Sequence, residues 1–465
     1  MKRIFIISFA ILISIPRCFA QNELVQMFTL DNFIQQVKQF HPLAKQADIQ
    51  VDKALAELMS AKGAFDPSIE LDASRKTFNG KNYYYYTNPQ LVVPLPVGNI
   101  KTGIENNGGD YITTEVTKGK TSYLGVELPL AKGLLLDKRR AVLQQAKILR
   151  NQSEQERLLM FNNLLFEAYV TYWQWAASYQ QYIAYTKFTE VASNRMRLVR
   201  IAFANGDRAM ADTVEAYTQI QNYQLLQADA LLKLNNAKFE MANYLWKADY
   251  TGYQLPANFT PQKLEVTNTS SYKNIDDLLI QSSTQNPNLI IYNFKLSSLE
   301  VERKLKFQSL LPYLSIKANL LNKDYYALKG IGANLMENNY KWGINFRIPL
   351  FLREARGDYK KAQLKIKETN LELINKRQET ENKIRSYFME FYVLASQLQT
   401  AQNMYKNYQS LLRTEELKFA QGESSLFLVN TRETKLIEIL QKQIDLTLKA
   451  YKSKYAMELA AGLLK

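Results

Sequence analysis

The chain has 465 residues and a formal net charge of +15. That length suits two or three ordinary domains or one extended repeat protein. With 29 Tyr but only 17 Gly and 12 Pro it favours long helices over a loop-rich fold, and its single His and single Cys leave no basis for a His/Cys metal centre.

The opening stretch MKRIFIISFAILISIPRCFA places Lys2 and Arg3 before an apolar run from Ile4 to Ile15, with a small residue at Ala20. This is the pattern of a secretory signal peptide cleaved after Ala20. The run is too short to span a bilayer as a helix. Cys18 raises the question of lipidation, but Pro16 and Arg17 stand where a lipobox has small residues, so ordinary cleavage is expected. The mature chain then has no cysteine and uses no disulfides despite export. Export also removes nucleic acid from the partners that the basic charge suits. No later segment has eighteen uninterrupted apolar residues, so no transmembrane helix is expected.

The rest of the chain repeats itself. HPLAKQ at 41 is answered by NPNLII at 286, FDPSIEL at 65 by LLPYLSI at 310, and VELPL at 126 by FRIPL at 346. FANGD at 203 is answered by FAQGE at 419, and KFEM at 238 by KYAM at 454. These pairs divide the chain into a leader over 1–20, a first repeat over 21–250, a linker over 251–274 and a second repeat over 275–465. The first copy carries about 25 extra residues within 68–128.

Each copy opens with a helix, over roughly 29–62 and 275–307, with capping chemistry at Thr29 and at Asn274. A proline ends it and alternation begins. In YLSIKANLL, Leu314, Ile316, Ala318 and Leu320 fall on one face; in YKWGINFRI, Tyr340, Trp342, Ile344 and Phe346 do. SIELDASRKTF and TSYLGVELPL are weaker counterparts in the first copy. Period-two alternation with aromatics on the apolar side fits half-buried strands, and also the apolar-out, polar-in pattern of outer-membrane barrel strands. That makes four expected strands. The extra residues, with KNYYYYTNP and ENNGGDY, fit an extracellular loop with an aromatic girdle, or else an additional strand pair or packing nearer the helical end.

A very long helix follows in each copy, over about 137–204 and 353–420. Leu158, Phe161, Leu165, Ala168, Tyr172, Trp175, Tyr179 and Tyr182 hold heptad spacing, as do Ile384, Tyr387, Phe391, Leu394, Leu398, Ala401, Tyr405, Tyr408 and Leu412. Such a seam sustained over about 100 Å, at about 1.5 Å per residue, is a coiled coil. Asn205-Gly206-Asp207 then reverses the chain: Gly supplies the positive φ that ends one helix and Asp207 is placed to start the next. The return helices are expected over 208–247 and 424–461. A short opening helix and a return helix together match one long helix in length, so they can stack end to end beside it.

Four strands cannot close a barrel, and an open edge facing lipid is not tolerated. Membrane strands would have to be pooled by oligomerisation. With its paired helix starts, paired proline motifs before the long helices and paired F-x-x-G tips, the sequence resembles the TolC-like outer-membrane efflux protein family over nearly the whole mature chain. The resemblance implies an α+β membrane protein: tandem long helical hairpins forming an α-barrel, plus four strands per chain in a shared twelve-stranded β-barrel. It implies a homotrimer in the outer membrane, in contact with its lipid and reaching through the periplasm. Such a duct serves a tripartite efflux pump or a type I secretion system, driven by an inner-membrane transporter and joined by a periplasmic adaptor. No catalysis and no cofactor or metal is implied. The tip turns, Asn205, Gly206, Asp207, Arg208, Gln421, Gly422 and Glu423, are the expected adaptor contacts. Asp212 and Glu215, spaced three apart on one helix face, are the candidate periplasmic gate. The second copy has Leu428 and Thr431 at those places.

TKGKTSY does not make a P-loop, because Thr114 stands where the first Gly belongs and the segment leads into a strand. His41 before Pro42 parallels Asn286 before Pro287, which points to a structural role at a helix start. The alternative reading is a soluble periplasmic coiled-coil adaptor or a structural protein; neither calls for duplicated aromatic strands. A drug, a metal ion and a protein are all compatible cargoes.

Overall fold

A computed structural model describes residues 26–256, 258–265, 274–323 and 339–464. The leader over 1–20, with Cys18 and the expected cleavage after Ala20, lies outside the described residues, as does 266–273 of the linker.

The opening helix of each copy is two helices in contact: α1 (Leu30–Phe40) and α2 (Pro42–Gly63), then α5 (Ile275–Gln285) and α6 (Pro287–Gln308). Proline causes the break. The residue before it is held extended, His41 at φ −67°, ψ 131° and Asn286 at φ −68°, ψ 116°. Each of those residues then caps the new helix. His41 Nδ1 accepts from the Leu43 amide at 3.1 Å, and Asn286 Oδ1 accepts from the Asn288 amide at 2.9 Å. The parallel seen between His41 and Asn286 in the sequence is therefore a shared capping task. Thr29 and Asn274 cap α1 and α5 as expected.

The long helices are α3 (Lys138–Ala204) and α7 (Arg353–Ala420), and the return helices are α4 (Met210–Ala242) and α8 (Leu426–Ala461). α3 packs along α2 and α4, and α7 along α6 and α8, so two short helices do lie beside each long one. In α7 the buried residues include Ile384, Phe391, Leu394, Leu398, Ala401 and Leu412, the heptad seam itself. In α3 the seam residues Leu165, Ala168, Tyr172 and Trp175 are fully buried, and a second face with Leu164, Trp173 and Ala176 is buried beside them. The two copies meet there. Trp173 stacks on Tyr451 of α8 at 3.8 Å and Tyr169 on Tyr455 at 4.2 Å.

The linker also has structure. Its strand β6 (Phe259–Pro261) pairs in parallel with β1 (Gln26–Phe28) at the start of the first copy. Tyr172 clasps both: its hydroxyl donates to the Phe28 carbonyl at 2.7 Å and accepts from the Gln262 amide at 3.1 Å. Burial pushes its pKa up to about 12, so it stays a donor.

Among the described residues the main sheet has six strands, not four. They are β2 (Ser68–Phe78), β3 (Lys81–Pro94), β4 (Asn99–Gly108), β5 (Gly119–Pro129), β7 (Tyr313–Lys323) and β8 (Tyr340–Arg347), in that order and antiparallel throughout. The extra residues of the first copy form the additional pair, β3 and β4. The tyrosine run is strand, not loop: Tyr84 and Tyr86 stack at 4.9 Å on one face of β3. Polar residues had masked the period-two pattern in this stretch.

The two faces of the sheet differ. Register carries one row from Ile69 through Leu91, Thr102, Leu124 and Leu320 to Tyr340. The next row on that face runs Val93, Ile100, Val126, Ala318, Trp342. The opposite face is polar. There Glu127 lies 2.9 Å from Lys101 and 3.4 Å from Lys317, and Tyr123 donates to Gln90 at 2.8 Å.

Candidate functional site at the hairpin tips

Both tips use one chain reversal. Gly206 has φ +82° and Gly422 φ +79°, and an added Cβ at either would meet open space. The glycines are needed for the backbone turn alone. In the first tip the Gly206 amide returns to the Phe203 carbonyl at 3.0 Å and the Asp207 amide to Ala202 at 2.9 Å. In the second, Gly422 returns to Phe419 at 3.2 Å and Glu423 to Lys418 at 2.9 Å. The four bonds satisfy carbonyls that a helix end leaves open.

Past the glycines the copies diverge. Ser425 caps α8, accepting from the Leu428 amide at 3.4 Å. Asp207 does not start α4: the cap position is Ala209, with no side-chain hydrogen bond. Asp207 is two residues too early, because Arg208 intervenes with a different task. Its guanidinium donates to the Phe419 carbonyl at 3.0 Å and lies 4.2 Å from the centre of the Phe419 ring. Arg208 thus ties the first tip to the last turn of α7. Asn205, Asp207, Gln421 and Glu423 are exposed around these turns.

Asp212 and Glu215 are both half-buried near the start of α4. Glu215 Oε1 accepts from Asn430 Nδ2 on α8 at 3.1 Å. Leu428 and Thr431 are exposed.

About three turns above the tips lies a buried polar cluster that the sequence reading missed. Arg195 of α3 reaches Glu433 of α8 with both terminal nitrogens, at 2.9 and 3.0 Å. It also approaches Asn430 at 3.4 Å and Glu416 of α7 at 3.3 Å. Tyr223 of α4 donates to Glu433 at 2.8 Å. Helices α3 and α4 therefore meet α8 at one carboxylate that is 1% exposed, and α7 joins the cluster through Arg195. Burial works against the Arg195 charge, but the hydrogen bonds and attraction of Glu433 outweigh it and hold the guanidinium above its ordinary range. Burial, then the Glu433 charge, pushes the Tyr223 hydroxyl up, which keeps it a donor. One sequence signal was available. Leu426, Val429, Glu433, Leu436 and Ile437 are buried at helical spacing, so a carboxylate stands in an apolar stripe.

No family model matches the sequence, and no curated protein matches it. Solved structures do match in three dimensions. The Campylobacter jejuni CmeC outer membrane channel superposes with a TM-score of 0.64 at 15% identity, over 93% of this chain and 85% of that one. The Vibrio cholerae outer membrane protein VceC gives 0.63 at 13% identity, over 93% and 95%. The open state of the Neisseria gonorrhoeae MtrE outer membrane channel gives 0.64 at 12% identity, over 93% and 88%. Over nearly its whole described length, this chain has the fold of these outer membrane channels.

Proposed function

We propose that the chain is the outer-membrane exit duct of a tripartite efflux pump or a type I secretion system. It is a passive homotrimeric channel of the TolC-like kind, not an enzyme, fed by an inner-membrane transporter through a periplasmic adaptor. One observation carries this reading: a sheet apolar on one face and polar on the other stands at the base of two tandem helical hairpins about 100 Å long. The likeness to outer membrane channels supports it.

Exposed apolar stripes support the pooling of copies. Along α4, Met210, Val214, Tyr217, Leu225, Leu232 and Phe239 are each more than half exposed. Along α7, Leu364, Leu371, Ile374, Met389 and Tyr392 are likewise exposed. Stripes of this length at near-heptad spacing mark helix–helix interfaces with other chains. In the trimer they pack neighbouring hairpins into a helical tube. The exposed tip residues Asn205, Asp207, Gln421 and Glu423 are then the adaptor contacts, and Asp212 and Glu215 the candidate gate.

The test is the mass of protein extracted in detergent from the outer-membrane fraction, by light scattering after size exclusion. Three chains per particle is the expected result. A monomer recovered from the periplasm without detergent would remove the channel reading.

A further inference from the structure

We infer that the additional hairpin, β3 and β4, is part of the membrane barrel wall, so that β8 of one copy pairs with β2 of the next and three copies close an eighteen-stranded barrel. The inference rests on the channel reading above and replaces its twelve strands.

The hairpin is interior to the sheet. In the order β2-β3-β4-β5-β7-β8, strand β2 reaches the other strands only through β3. If β3 and β4 stood outside the membrane, β2 would have to leave with them, and each chain would keep three strands. The two faces of the sheet also continue through the hairpin. Leu91 and Ile104 are 38% and 39% exposed on the same face as Leu124 and Val126, at 39% and 40%. On the other face, Gln90 donates to Glu70 of β2 at 2.7 Å and accepts from Tyr123 of β5, and Lys101 meets Glu127. Strands of 8 to 14 residues bracket the roughly 9–11 that a bilayer needs.

The two edges are complementary. All eleven residues of β2 are exposed, and so are all of β8 except Gly343. Each edge alternates in the same sense, with Ile69, Leu71 and Ala73 on one and Tyr340, Trp342, Ile344 and Phe346 on the other. A long apolar edge is untenable in lipid and prone to pairing in water. Six is an even number, so β2 and β8 run in opposite directions and join antiparallel at every seam.

The sheet is also stepped in the way closure requires. Tyr340 at the start of β8 shares its row with Ile69, near the start of β2. The rows of Ile344 and Phe346 therefore pass below β2, while Leu71 and Ala73 rise above β8. Joining β8 to β2 of the next copy at matched apolar height introduces a stagger, and stagger is what tilted barrel strands need. A barrel of about 16–18 strands encloses an aqueous channel, whereas about 8 enclose only side chains.

Cysteine labelling tests this, since Cys18 of the leader segment is the sole cysteine of the sequence. Leu91→Cys, Ile104→Cys, Gln90→Cys and Leu124→Cys are made singly in the full chain, in isolated outer membranes, and treated with a membrane-impermeant charged maleimide. We expect Leu91→Cys and Ile104→Cys to label as slowly as Leu124→Cys in β5, at least tenfold slower than Gln90→Cys. In parallel, Leu71→Cys is combined in turn with Trp342→Cys, Ile344→Cys and Phe346→Cys; one pair should oxidise to a covalent trimer on non-reducing gels. Fast labelling at 91 and 104 with 124 still shielded, in particles that remain trimeric, would overturn the eighteen-stranded wall and leave the channel standing. Absence of any cross-linked species would overturn the seam. Monomeric particles with 124 freely labelled would overturn the channel reading, and this inference with it.

Discussion

Arg195 and Glu433, 238 positions apart in the chain, face each other through two parallel hydrogen bonds of 2.9 and 3.0 Å inside the four-helix stem. They come from different copies of the repeat. A buried pair of this kind is a strong constraint on which helices can meet, because removing one partner strands the other charge. Glu433→Ala should lower the stability of the folded protein by about 3–5 kcal/mol, read as the chemical unfolding midpoint of the purified particle. The double variant Arg195→Met with Glu433→Leu should recover most of that loss, since neither charge then remains buried. A Glu433→Ala protein as stable as the wild type would mean that the carboxylate contributes nothing to holding the hairpins together.

His41 supplies a pH dependence whose sign follows from its cap. Burial lowers its pKa from the ordinary value, while Asn243 and the Glu167 charge pull the other way less strongly. Protonation would also cost Nδ1 the lone pair that accepts from Leu43. The folded chain therefore binds this proton less well than the unfolded one, whose imidazole titrates near ~6.5. The stability contributed by neutral His41 is full above that pH and declines as pH falls through it toward the lower folded value. Asn performs the same cap at position 286, so His41→Asn keeps the hydrogen bond and removes the titration. Between about pH 7.5 and 5, the wild-type unfolding midpoint should fall further than that of His41→Asn. Parallel curves for the two proteins would show that His41 does not set the slope.

These features were legible to different degrees. The glycine reversals, the ends of the opening helices and the heptad seams are local and duplicated, and the structure places them within a few residues of their expected positions; the breaks at Pro42 and Pro287 split what was expected to be one helix in each copy. The hairpin β3–β4 was harder to read because the polar face of β3 carries Tyr84, Tyr86, Asn88 and Gln90 with no charge among them, which blurs a period of two. Asp207 looked like a cap because it follows Gly206. The structure gives the next residue, Arg208, a long-range contact, and α4 starts only after it. The Arg195–Glu433 pair joins two copies, and no local pattern encodes which helix of one copy lies against which helix of the other. The strand in the linker depends on a parallel partner more than 200 residues away, which likewise leaves no local trace.

Arg208 joins the two tips by one hydrogen bond and one ring face. A cation–π contact at a partly exposed site is worth about 0.5–1 kcal/mol. Arg208→Ala should therefore raise hydrogen exchange of the amides at Gly206, Asp207, Gly422 and Glu423 by about two- to fivefold, with little change in global stability. Arg208→Lys should restore little of the protection, because an ammonium lacks the planar fork that stacks and donates together. Unchanged exchange at the second tip in Arg208→Ala would show that the two reversals hold independently.

The acids at the start of α4 give the sharpest test of the tip as a gate. Asp212 and Glu215 sit one helical turn apart, and Glu215 is oriented by Asn430 of the neighbouring hairpin. Glu215→Gln retains an amide oxygen for that hydrogen bond and removes only the charge, so the fold should persist. If three copies pool these carboxylates at a narrow entrance, they attract cations and repel anions. In planar bilayers under a KCl gradient, Asp212→Asn and Glu215→Gln should each lower the cation-over-anion permeability ratio, and the double variant should lower it most. The effect should be larger near 0.1 M salt, where the Debye length is about 10 Å, than near 1 M, where it is about 3 Å. Selectivity that ignores both substitutions at both salt levels would place these side chains away from the ion path. Asn430→Leu separates the two roles of Glu215: it frees the carboxylate without neutralising it, so selectivity should survive while exchange protection at the start of α4 falls.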